Sequence, residues 1–155
     1  MKKERVLVSA CLLGYPIRYD GSDKKISDEL IDRLKNSAEV ISACPEMLGG
    51  LPCPRLASEQ QSHTGKVIAS DGRDISVFFR LGAHETLNIC KNYGIRVAVL
   101  KSKSPSCGKG FIYDGSFTGQ LTKGEGITSR LLSENGIKIF NESEVSQAIE
   151  KIRGK

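Results

Sequence analysis

The sequence predicts an α/β fold: a single domain over residues 1–155, with a mostly parallel open sheet, Rossmann-like in layout, and helices on both faces. Three observations point there. Short apolar runs that read as buried strands alternate with longer segments whose apolar residues recur at helical spacing, the order that builds a parallel sheet covered by helices. The connections between them are short and rich in Gly and Pro, with no linker, low-complexity tract or structural repeat. And Cys11, Cys44 and Cys107 each stand just beyond a strand-like run, at the edge of the sheet where open α/β folds bind ligands.

The elements follow in order. Residues 6–10 (Val-Leu-Val-Ser-Ala) form the first strand, followed by a loop from Gly14 to Lys25. Ser27 is placed to cap a helix over residues 28–36, with Ile31 and Leu34 on its inner face. Residues 40–43 are the second strand. The Pro/Gly-rich stretch from Cys44 to Pro54 continues neither regular structure, and residues 67–69 are a short strand or hairpin arm. Asp74 reads as the cap of a long helix ending near Tyr93. Its apolar positions Val77, Phe78, Leu81, Leu87 and Cys90 follow helical spacing, and Gly94 suits the position just past a helix end. Residues 95–100 are the third strand. Residues 101–126 hold six glycines and little periodicity. A helix over residues 127–134 ends at Gly136, residues 137–140 form a fourth strand, and residues 144–153 a last helix.

Composition narrows the function classes. A chain of 155 residues with 39% hydrophobic and 26% charged residues is long enough to bury a continuous core. No stretch approaches the roughly 20 apolar residues of a membrane span. The N-terminus runs directly into a strand with no apolar signal core, so a cytoplasmic location is expected. The net charge is +5, but of the 23 Lys and Arg, Lys2, Lys3, Arg5, Lys151, Arg153 and Lys155 lie in the terminal tails. The remainder form no basic stripe with interleaved aromatics, so a nucleic-acid partner is not expected. Five cysteines without a single Cys-x-x-Cys pair exclude a secreted disulfide framework and the zinc-ribbon and thioredoxin spacings.

Cys11, Cys44 and Cys107 are therefore candidate ligands of an iron–sulfur cluster or a soft metal ion, since thiolates from three strand ends can meet at one point. Cys90, on its helix, reads as a small buried hydrophobe. Cys53, between Pro52 and Pro54, reads as a fourth ligand, a redox neighbour or a small loop residue. Glu46, two residues past Cys44, is either a general base at the crevice or an exposed loop charge. Ser104 and Ser106 flank Pro105 and either donate a hydrogen bond at the site or shape the turn. Arg18-Tyr-Asp-Gly21 and Asp71-Gly-Arg-Asp74 have turn chemistry. His63 and His84 lack metal-pair spacing.

These blocks, taken in order, resemble a bacterial family whose characterised branch is the thiouracil desulfidases: Val8-Ser-Ala-Cys-Leu-Leu-Gly14, Arg18-Tyr-Asp-Gly21, Cys44-Pro-Glu46, Gly49-Gly-Leu-Pro52, Pro54-Arg55, Asp71-Gly-Arg-Asp74 and Lys103-Ser-Pro-Ser-Cys-Gly108. The resemblance implies a 4Fe-4S cluster held by only three cysteines, Cys11, Cys44 and Cys107, with one iron open to the substrate's sulfur. It implies Glu46 and Ser104 as the catalytic pair beside a small thiolated pyrimidine such as thiouracil. The expected reaction is non-redox: hydrolysis of the thiocarbonyl to the oxo base. After Arg55 the chain reads Leu-Ala-Ser-Glu-Gln-Gln, where the family has a more proline-rich turn. The residues alone leave two other readings open: an iron–sulfur or metal-binding sensor module, and a thiol enzyme that uses one cysteine as nucleophile without a cluster.

Overall fold

A computed structural model describes residues 3–154. Strand β1 (Glu4–Ser9) leads into a 3-10 turn, Ala10–Leu13, and then by a loop to helix α1 (Asp28–Ser37) and strand β2 (Ala38–Ala43). A one-turn helix α2 (Pro45–Leu48) precedes strands β3 (Ser58–Gln60) and β4 (Val67–Ala69), which form an antiparallel pair. The long helix α3 (Ser76–Tyr93), strand β5 (Val97–Val99) and a second antiparallel pair, β6 (Phe111–Tyr113) with β7 (Leu121–Lys123), come next. Helix α4 (Ile127–Glu134), strand β8 (Lys138–Phe140) and helix α5 (Val145–Gly154) complete the chain.

Strands β2, β1, β5 and β8 form, in that order, a four-stranded sheet in which every pairing is parallel. Both faces of the central strands β1 and β5 are buried, which is why their sequences are apolar runs rather than alternating ones. In β1, Val6 and Val8 pack with Leu34 of α1 and Ala148 and Ile149 of α5. Leu7 between them faces Leu87 and Cys90 of α3 and Leu132 of α4. The expected layout, a parallel sheet with helices on both faces, is what the residues build.

From β1 the chain crosses through α1 to β2 on one side, and later reaches β5 on the other side through α3. This reversal beside β1 opens a crevice at the C-terminal strand ends, and Cys11, Cys44 and the loop carrying Cys107 all leave the sheet there.

Several local expectations hold in detail. Ser27 Oγ accepts the Leu30 N–H at 3.2 Å at the start of α1, and Gly94 ends α3 with a left-handed φ of 66°. Asp74 accepts the Ser76 N–H at 3.0 Å, two residues ahead of the helix rather than at its cap.

Other expectations are corrected. The stretch after Cys44 contains α2, because Pro45 at the first helical position loses no hydrogen bond there. Residues 101–126 contain the β6–β7 hairpin, whose strands are too short and too exposed to show a period. The inner face of α3 is also displaced from its expected position. Val77 and Leu81 are 59% and 50% exposed, whereas Phe79, Gly82, Ala83, Thr86, Leu87 and Cys90 point inward.

Gly82 explains this choice of face. A Cβ on Gly82 would stand 1.9 Å from the Pro45 carbonyl oxygen, and one on Gly49 would stand 1.9 Å from that of Phe78. The two glycines let α2 lie against α3 backbone to backbone. On helix propensity alone, Gly82→Ala would stabilise α3 by about 1 kcal/mol. The contact reverses the sign: the variant is expected to melt at a lower temperature, because overpacking costs about 1–3 kcal/mol. Its α2 must also shift, moving Cys44 and Glu46. A variant with a raised Tm would show that α2 yields freely.

Candidate active site

At the C-terminal ends of β1, β2 and β5 lies a cavity of about 470 Å³, lined by Cys11, Cys44, Cys107, Glu46 and Ser104 among others. These are the five residues that the sequence and its resemblance name as ligands and catalytic pair, and they arrive on three segments. Cys11 is buried in the turn that ends β1, where Gly14 closes the turn with φ 99°. Cys44 is the residue before α2, and Glu46 sits in that helix's single turn. Cys107 is buried in the loop after β5.

The Cys107 loop is built around Ser104, whose Oγ accepts the N–H groups of Ser106 (3.0 Å) and Cys107 (2.7 Å). With its oxygen so occupied, the hydroxyl hydrogen is what Ser104 offers the cavity. Ser106 is turned away, bonded to Thr128 of α4 at 2.9 Å. Gly126 lies against this loop so closely that a Cβ would fall 2.3 Å from the Ser106 carbonyl. Ser9, at the end of β1, places its hydroxyl 3.8 Å from the Cys107 sulfur.

The three thiols sense one another. Burial first, then the charges of Cys44 and Glu46, push the Cys11 thiol up to about 11, against the pull of Lys101 and Arg18. Cys107 is raised by burial, then by Glu46, with smaller contributions from Cys11 and Cys44. Cys44 is raised by burial and then by Glu46, partly offset by the Met47 N–H and by Arg55. Such shifts disfavour isolated thiolates, and a cationic centre bound among them would reverse the shifts. Among the described residues no three His, Cys, Asp or Glu side chains gather tightly enough to hold a single metal ion. The donor set suits a polynuclear cluster better: soft ligands placed around a cavity, each free to bind a different iron. None of the cysteines is in a disulfide.

Glu46 is held by Arg55, whose Nη2 donates to Oε2 at 2.9 Å; the side chains are 16% and 8% exposed. Arg55 also donates to the carbonyls of Ile17 and Pro52, at 3.3 and 3.2 Å. It therefore ties the loop after Cys11 to the loop after Cys44 and fixes one carboxylate oxygen. Oε1 has no hydrogen-bond partner among the described residues and is left for a ligand.

The remaining cysteines stand apart. Cys90 is in the core below the sheet. Cys53 lies 3.5 and 3.4 Å from the carbonyl oxygens of Pro16 and Arg18 and joins two loops, outside the cavity lining. His63 and His84 are exposed. The Asp71–Asp74 segment is a turn, with Asp71 bonded to Arg73. Arg18 and Tyr19, turn residues by their sequence, both line the cavity, as do Lys101, Tyr113 and Phe117.

Fold and crevice together define an α/β protein with a cysteine-lined pocket at the topological switch of its sheet. The model of the 2-thiouracil desulfurase family matches residues 6–144, and the chain belongs to that family. It is similar to the [4Fe-4S]-dependent thiouracil desulfidase TudS, with a TM-score of 0.93 and 42% identity over 99% of this chain and 100% of that one. It is also 36% identical over 152 residues to the uncharacterized protein YbbK of Bacillus subtilis (strain 168), covering 93% of this chain and 99% of that protein.

Proposed function

We propose that the chain hydrolyses a thiolated pyrimidine such as thiouracil to its oxo base, with a 4Fe-4S cluster held by Cys11, Cys44 and Cys107. The observation that carries this reading is the meeting of three unbridged thiols from three strand ends at one cavity with a carboxylate, Glu46. Family membership and the likeness to TudS support it. When bound, the cluster supplies an open iron that acts as a Lewis acid toward the soft thiocarbonyl sulfur.

The protein's own residues do the rest. Glu46 Oε1 takes a proton from water as that water adds to the thiocarbonyl carbon, while Arg55 keeps the carboxylate aimed. Ser104 donates its hydroxyl hydrogen to the ring. Ser9 donates toward the Cys107 sulfur, the outer hydrogen bond that steadies a ligating thiolate. Glu46 passes that proton to the sulfur and takes the proton of the adduct's hydroxyl as the carbon–sulfur bond breaks and the carbonyl forms; this second proton then leaves with the sulfide. One thiocarbonyl and one water give one carbonyl and one hydrogen sulfide, with no change of oxidation state.

That balance is testable. Anaerobically loaded protein should release uracil and sulfide in equal amounts from thiouracil without any added reductant. A strict need for a reductant would overturn the hydrolytic reading.

A further inference from the structure

The hairpin joining β6 to β7 carries the segment Asp114–Gly119, and Phe117 on it lines the same cavity as the thiols. Phe117 has a φ of 58°, a left-handed conformation rare for a bulky residue. It is also 39% exposed, so burial in the core does not account for it. Backbone conformations of this kind persist only where the surroundings enforce them, and they gather at ligand sites.

What enforces it is Glu59 of β3. Its Oε1 accepts the N–H of Gly115 at 3.0 Å and that of Phe117 at 3.1 Å. Glu59 is buried, and no lysine or arginine pairs with it among the described residues. Gln61 adds a bond from Nε2 to the Gly115 carbonyl at 3.0 Å. Gly115, at φ 93°, has no room for a side chain: a Cβ would meet the Gln60 carbonyl at 3.0 Å. The loop is thus fastened at Gly115, two residues before Phe117, and at Phe117 itself, whose ring joins Tyr19 and Tyr113 in the cavity lining.

We propose that Phe117 is the wall on which the planar heterocycle stacks, a specificity-determining residue, and that Glu59 is the positioning residue that holds it there. This rests on the desulfidase reading for the identity of the ring. The ring itself selects for flat, π-faced ligands over non-planar thiocarbonyl compounds.

The experiment uses the cluster-loaded full chain. In Phe117→Ala the KM for thiouracil should rise about tenfold, the order expected for loss of one base–aromatic stack, with more of the loss in KM than in kcat. Phe117→Tyr should restore KM to within about twofold. Glu59→Ala should follow Phe117→Ala, whereas Glu59→Gln, which keeps a carbonyl oxygen able to accept both N–H groups, should follow wild type. Calorimetric titration with uracil, which has no sulfur to bind iron, should show the same tenfold weakening in Phe117→Ala. A wild type that turns over thiouracil while Phe117→Ala keeps its KM overturns the stacking wall alone. A wild type without turnover overturns the proposed reaction, and the uracil titration still judges Phe117: equal affinity in both proteins, or no affinity in wild type, overturns it.

Discussion

Cys107→Ser is expected to give a folded protein with neither cluster nor desulfuration. The Cys107 loop is held by Ser104 Oγ, by the close approach of Gly126 and by the Ser106–Thr128 contact, none of which uses the sulfur. Thermal unfolding should therefore move little. The serine oxygen is hard and protonated at neutral pH, so it replaces a thiolate poorly as an iron ligand. Iron and acid-labile sulfide should fall to background, and turnover with them. Cys11→Ser and Cys44→Ser should behave alike. Cys53→Ser should keep its iron, because Cys53 lies outside the cavity lining. Wild-type iron content in Cys107→Ser would remove this residue from the ligand set. Loss of activity in one cysteine variant and near-normal activity in the other two would instead favour a single nucleophilic thiol.

Glu46→Gln should do the opposite, keeping iron while turnover falls on the order of 10²-fold or more, the usual contribution of a general base. Glutamine is the right replacement because of Arg55. Removing the carboxylate altogether would leave a nearly buried guanidinium without its partner, a loss of about 3–5 kcal/mol. The glutamine amide oxygen still accepts from Nη2 and holds the loops that Arg55 joins. Thiouracil should still perturb the visible spectrum of the variant, since sulfur binding does not involve the carboxylate. Full activity in Glu46→Gln would end its catalytic role. It is also the result a sensor module predicts, because a sensor does not need a base.

The parts of this molecule that could be read from sequence are those whose physics is local. Val6-Leu-Val and Val97-Ala-Val are apolar throughout because both sheet faces are covered, and the alternation of such runs with helices implies a parallel sheet. Cys11 and Cys44 stand out because each closes such a run next to a turn; Cys107 lies further on, in the loop after β5, and stands out by its Ser-Pro-Ser-Cys-Gly setting.

What could not be read depends on contacts between distant segments. The inner face of α3 contains Gly82, Ala83 and Thr86, small or polar residues that a hydrophobic period discounts, because their task is to let α2 approach. The β6–β7 hairpin has three-residue strands with half-exposed side chains. Arg18 and Tyr19 read as turn residues in the sequence, because the Arg55 bonds to the Ile17 and Tyr19 carbonyls that hold their loop come from a distant segment. Phe117 is invisible as a site residue without Glu59, which is distant in sequence and gives no local sign of the loop it fastens.

The central claim is that the reaction belongs to a cluster held by three cysteines. It is tested most directly by comparing thiouracil turnover in two states of one preparation: reconstituted anaerobically with iron and sulfide, and stripped of iron by a chelator. The loaded protein should contain about four irons and four labile sulfides per chain and convert thiouracil to uracil, with activity rising in proportion to cluster content. The stripped protein should keep its fold and lose activity. Equal turnover by the iron-free chain would contradict the account.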